Sequence, residues 1–223
     1  MADRTMADRT LADRTLADRL RLQDFGSGGV EVLPDALILI LSTAGDGAEQ
    51  ESALARQWQP IVPRAAFVGI ELDAASDATL RQTDLVPLRR AAADAATARL
   101  IQPSQIILFG TGKAGRLAVD LVLQGAIPGA GVLGLDISLE PDPSRVLPTA
   151  ARVRLVQHSM DDDPRATRFH ALIEAMRRQA VDVRSMILSD VARASPGVTM
   201  RAGGTFLVEL VAAASRNPAK PGS

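Results

Sequence analysis

The chain has no cysteine and no tyrosine, and its only tryptophan is Trp58. Without cysteine there are no disulfides, no thiolate nucleophile and no thiolate metal site. Aromatic residues make up 3% of the sequence, too few for the stacking platforms on which single-stranded nucleic acids lie. Histidine is nearly missing too, with His158 and His170 the only two, so imidazole chemistry has two places to occur. Neither sign of charge dominates: 25 Lys and Arg face 26 Asp and Glu, and no basic block offers a footprint for nucleic acid. The longest unbroken apolar run, 36–41, is far below the roughly 20 residues that a membrane span needs. No positively charged start leads into an apolar stretch, so no secretory signal is expected and the cytoplasm is the expected location. What is abundant is aliphatic: 47% of the residues are hydrophobic, and Leu, Val, Ile and Ala must build the core. A length of 223 residues suits one domain with an appendage.

The appendage is legible as a pentapeptide repeat, in which Ala-Asp-Arg recurs behind Met1, Met6, Leu11 and Leu16. A period of five turns the apolar residue by about 140° per repeat around a helix, so these side chains do not share a stripe. The pattern fits a flexible extension over 1–24, or alternatively a short oligomerisation arm. The glycines at 26, 28 and 29 read as a linker into a domain over 25–216, and 217–223 reads as a frayed tail.

From residue 30 the pattern alternates between strand and helix. Strands are expected at 30–33, 36–41, 65–70, 106–109, 132–137, 153–157 and 183–188. Helices are expected at 49–58, at 80–100 with Pro87 as its start or a break, after Gly115, at 165–179 and at 202–214. Such alternation predicts a doubly wound, mostly parallel sheet covered by helices on both faces, a three-layer α/β domain.

The stretch 105–124 stands at its centre: a short apolar strand, a glycine cluster, and an amphipathic helix. Two motifs fit it. Gly110, Gly112 and Gly115 spell the G-x-G-x-x-G of dinucleotide sites, and Asp136, 21 residues beyond Gly115, could meet a ribose hydroxyl. The same residues also fit a nucleophile elbow, small-x-nucleophile-x-small, with Gly112 in the nucleophile position. A dinucleotide domain usually begins with this unit, whereas here two strand–helix units precede it.

Residues 101–120, with Pro103-Ser104 leading into the strand and the elbow, resemble the phospholipase/carboxylesterase family of α/β-hydrolases. The resemblance extends to 36–47, similar to the strand and loop that carry oxyanion donors, to 130–138, and to 153–164, similar to the loop that carries the triad acid. It implies an α/β-hydrolase fold without a lid domain over about residues 30–215. By resemblance the triad acid is Asp162, with Asp161 and Asp163 as neighbouring registers. The oxyanion and ligand pocket falls to Thr43, Ala44, Lys113 (through its backbone N–H) and His158.

The chemistry of that family needs a hydroxyl, a base and an orienting carboxylate, in the chain order nucleophile, acid, histidine. Gly112 has no side chain, the loop 189–199 has no histidine, and Ser42 stands where the oxyanion loop would carry one. His158 reads as a hydrogen-bonded strand-end residue, and His170 as a surface or boundary residue of its helix. Asp163 before Pro164 reads as a helix cap rather than a metal ligand. The expectation is therefore a pseudo-hydrolase with no cofactor and no metal, acting by binding a small acyl or carbonyl ligand or a protein partner, with homo-oligomers allowed. The alternatives are an esterase with a rearranged site and a nucleotide-binding protein.

Overall fold

The computed structural model describes residues 21–27, 33–43, 48–72, 82–127, 129, 131–139, 146–147, 149–158, 164–189 and 196–216. A seven-stranded sheet carries the domain, in the order β1-β3-β2-β4-β5-β6-β7. The strands are β1 (Arg21–Ser27), β2 (Ala36–Thr43), β3 (Ala65–Leu72), β4 (Ile106–Thr111), β5 (Gly131–Leu135), β6 (Arg152–His158) and β7 (Asp182–Leu188). All pairings are parallel except β1 with β3. The helices are α1 (Ala48–Trp58), α2 (Gln82–Thr97), α3 (Gly112–Leu123), α4 (Pro164–Arg178) and α5 (Pro196–Ser215).

Strand side chains alternate between two cores, one on each face of the sheet. Leu37, Leu39 and Leu41 of β2 point to one face, where α2, α3 and α4 supply Leu88, Val119 and Phe169. Ile38 and Ile40 point to the other, where α1 and α5 supply Trp58, Phe206 and Leu210. Burial on both faces explains why the central strands read as continuous apolar runs. None of the described helices is long and apolar enough to cross a membrane.

Three sequence expectations are corrected. The edge strand is Arg21–Ser27, so residues assigned to the extension and the linker pair with β3, while the strand expected at 30–33 lies outside the described residues except for Leu33. The chain can do this because Leu22 falls opposite Ile70 in an antiparallel register that also accepts the glycine at 26, beside a register shift. Pro87 neither starts nor breaks α2; it lies inside the helix, whose buried Leu85, Leu88, Ala92 and Ala95 outweigh one lost backbone bond. The last helix starts at Pro196 rather than 202, proline being well suited to a first helical position. The repeats at 1–20 and the tail at 217–223 lie outside the described residues.

Two anchors secure α5, the first of them at its early start. Trp58 Nε1 donates to the Met200 carbonyl at 3.0 Å, and the ring packs against Gly203 and edge-on against Phe109. Farther along, Arg154 of β6, fully buried, donates to Asp182 and to Glu209 of α5. Burial works against its charge, but those two hydrogen bonds more than offset it, and the guanidinium is held above its ordinary value.

Candidate active site

After β2 the chain runs to β3 on one side, crosses to β4 on the other, and then continues outward in one direction. The reversal lies between β2 and β4, and open α/β sheets bind ligands beyond the strand C-termini at such a point. Gly112 sits there. Thr111 ends β4 in extended geometry and precedes the first residue of α3, so the strand passes into the helix in a single step at Gly112, whose φ is +51°. That is the sharp strand-to-helix turn of an elbow.

The glycines on either side have a different job. A Cβ on Gly110 would come within 2.8 Å of the Ala114 carbonyl carbon and the Gly115 nitrogen. One on Gly115 would come within 2.6 Å of the Gly110 carbonyl oxygen. These two let helix and strand touch backbone to backbone. A Cβ on Gly112 would meet nothing within 4 Å. The position where an elbow carries its nucleophile is open, and the first turn of α3, with Lys113 exposed, brings the positive end of the helix dipole beside it.

A second group of polar residues lies two strands away. Asp136, just past β5, accepts the His158 backbone N–H at 2.9 Å on Oδ1 and contacts His158 Nδ1 at 2.6 Å through Oδ2. On the far side of the ring, Thr199 Oγ1 of α5 is 3.1 Å from Nε2. A carboxylate only accepts, so Nδ1 is the ring atom that donates to Asp136, and in a neutral ring Nε2 is left to accept from the threonine hydroxyl. The order is hydroxyl, imidazole, carboxylate. The His158 side chain is 9% exposed and the Asp136 side chain 38%. The loop after β5 joins both places, since the Ser138 N–H donates to the Gly112 carbonyl at 2.9 Å.

His158 is thus a hydrogen-bonded strand-end residue, as the sequence predicts, and its two side-chain partners are Asp136 and Thr199. The pairing with Asp136 could be inferred from strand order, because β5 and β6 are adjacent and parallel and Leu135 is opposite Val156. Thr199 could not, since residues 189–199 read as loop in the sequence. His170 is exposed on α4. Asp161, Asp162, Asp163 and Ala44 lie outside the described residues; Thr43 is the last residue of β2, opposite Leu72. Among the described residues no three histidine or carboxylate side chains gather in a way that could hold a metal ion.

No family model matches the chain, and no curated protein matches it. Solved structures do. A phospholipase/carboxylesterase from Dyadobacter fermentans superposes with a TM-score of 0.62 at 12% identity, covering 85% of this chain and 96% of that one. Esterase PE8 gives 0.64 at 16% identity, covering 86% and 99%. The protein YahD, solved with malic acid, gives 0.59 at 15% identity, covering 86% and 98%. The sheet order, the elbow turn and these superpositions agree: the chain has the α/β-hydrolase fold of the esterases.

Proposed function

We propose that this protein is a pseudo-hydrolase at its elbow: it binds a small carbonyl- or carboxylate-bearing ligand there and performs no covalent chemistry at that position. The observation that carries the reading is Gly112, in elbow conformation at φ +51° with open space where the reactive side chain would be. The start of α3 favours a negative or partly negative oxygen through the helix dipole. One structure of the same fold was solved with malic acid, which makes malate the first probe. Malate is expected to raise the melting temperature of the purified protein, as any ligand of the native state does. Gly112→Asn and Gly112→Asp are tolerated alike by a left-handed turn, but only the aspartate repels a carboxylate. The shift should survive in Gly112→Asn and vanish in Gly112→Asp. No shift with malate, or one that ignores the aspartate, rejects the elbow as the binding position.

A second reading, an esterase with a rearranged site, is favoured by one specific observation: His158 lies between a carboxylate and a hydroxyl.

A further inference from the structure

We propose that Thr199, His158 and Asp136 form a catalytic relay in which the Thr199 hydroxyl is the acyl acceptor for small, activated carboxylic esters. The proposal rests on the rearranged-esterase reading and is independent of what binds at Gly112.

The geometry is that of an activated nucleophile: a hydroxyl within reach of a base that a third group orients. Asp136 holds His158 twice, through its backbone N–H and, orienting the ring, through Nδ1. That leaves Nε2, 3.1 Å from Thr199 Oγ1, as the one ring atom able to take the hydroxyl proton. His158 and Thr199 act on the reacting atoms; Asp136 is a positioning residue. The three come from the C-terminal ends of two adjacent strands and the first turns of α5, on the edge of the sheet where this topology places ligands.

Asp136 adds an independent mark. Its φ is +45°, and strained backbone of this kind gathers at functional sites. The other non-glycine residues with positive φ among those described, Leu100 and Ala180, lie in the turns just past α2 and α4, where left-handed residues commonly terminate helices. Asp136 terminates no helix. Its conformation is matched instead by the two contacts its carboxylate makes to His158.

The step balances as follows. Thr199 Oγ1 forms a bond to the ester carbonyl carbon while its proton passes to His158 Nε2. The bond from that carbon to the leaving oxygen breaks, and the leaving oxygen takes the proton from Nε2. Water then attacks the acyl carbon, gives a proton to Nε2, and the Thr199 oxygen departs with it. A secondary hydroxyl is a sluggish nucleophile, so the donor must carry a good leaving group such as a phenolate; hence an activated ester rather than an amide.

The test uses the whole protein and p-nitrophenyl acetate. Release of p-nitrophenolate is followed, and the acetylated peptide is located by mass spectrometry. The expected result is an acetyl group on Thr199, with acylation falling about 100-fold or more in Thr199→Val and in His158→Gln, the usual worth of a positioned base. Thr199→Ser keeps the hydroxyl and should retain the rate, so it tests the relay even if the valine variant folds poorly. Acetyl groups confined to lysines, or an unchanged rate in a folded Thr199→Val, overturn the relay. A complete lack of acylation in the wild type and in Thr199→Ser overturns it together with the rearranged-esterase reading. The malate experiment at Gly112 would stand apart from either outcome.

Discussion

Alanine placed in turn at Gly110, Gly112 and Gly115 separates two demands that one glycine motif combines. At Gly112 the demand is conformational. A side chain there finds open space but must accept φ +51°. The left-handed conformation costs about 1–2 kcal/mol, and the stiffer unfolded chain returns about 0.4–1 kcal/mol, for a net loss near 1 kcal/mol. At Gly110 and Gly115 the backbone is unstrained, but a Cβ would come within 2.6–2.8 Å of backbone atoms that cannot rotate away. Relief requires lifting α3 from β4, and overpacking of this kind costs about 3 kcal/mol. For a domain of this size each kcal/mol moves the melting temperature by about 2–4 °C. Gly112→Ala should therefore lose about 2–4 °C, and Gly110→Ala and Gly115→Ala about 6–12 °C each. Calorimetry or urea unfolding at one pH reads this directly. Equal losses at the three positions would refute the reasoning, and so would a larger loss at Gly112, because either would mean that packing rather than strain keeps residue 112 bare.

Three further predictions follow from packing and charge. The Arg154 hydrogen bond is the chief cause that holds the Glu209 carboxyl below its ordinary 4.5. A carboxyl depressed in the folded state adds stability above its unfolded value and loses it as pH falls through the folded one. Glu209→Gln should thus cost about 1–3 kcal/mol near neutrality, and the gap in urea midpoint should narrow below pH 4.5; a gap independent of pH rejects the pairing. Gly203→Ala brings a Cβ to 2.7 Å from the Trp58 ring, whereas at Gly204 the nearest contact is an ordinary 3.4 Å. The first should lose stability by about 1 kcal/mol after the gain in helix propensity and shift Trp58 fluorescence, while Gly204→Ala should be neutral or stabilising. Finally, removing 1–19 leaves β1 whole, whereas removing 1–28 strips it from β3 and bares that strand's edge. Only the longer truncation should aggregate or lose its cooperative unfolding, as judged by mass in solution and melting.

The strands and helices that bury two faces or one clean stripe were legible in the sequence, because apolar runs and periods of three and four are direct traces of burial. Segments 36–41, 106–109 and 165–179 are of this kind. What stayed illegible lacked such a trace. The strand Arg21–Ser27 has the polar, glycine-bearing composition of a linker and gains its conformation from a partner, β3, that no local pattern announces. The first turns of α5 have few buried residues of their own and depend on Trp58, 142 residues away in sequence. Thr199 rides on those turns, so missing the helix meant missing the hydroxyl. Asp136 fits a ribose ligand by its spacing from Gly115 alone; its neighbour in the fold is the histidine at the end of the next strand. The elbow, in contrast, was legible as a turn and as a turn lacking its side chain, since both facts are local.

The shape of that elbow does not depend on residue 112. Gly110 and Gly115 bring α3 against β4 within a distance that only glycines permit, and the Ser138 N–H ties the Gly112 carbonyl to the loop after β5. The turn is held from both sides by backbone, so a side chain at its apex can be lost without loss of the fold. This separates architecture from chemistry on the sheet's C-terminal edge. Strain carried by a side-chain-bearing residue is found one strand over, at Asp136, where it coincides with an ordered hydroxyl–imidazole–carboxylate series. If backbone strain marks where the fold has something to hold in place, then on this edge it points to His158 rather than to the vacant elbow.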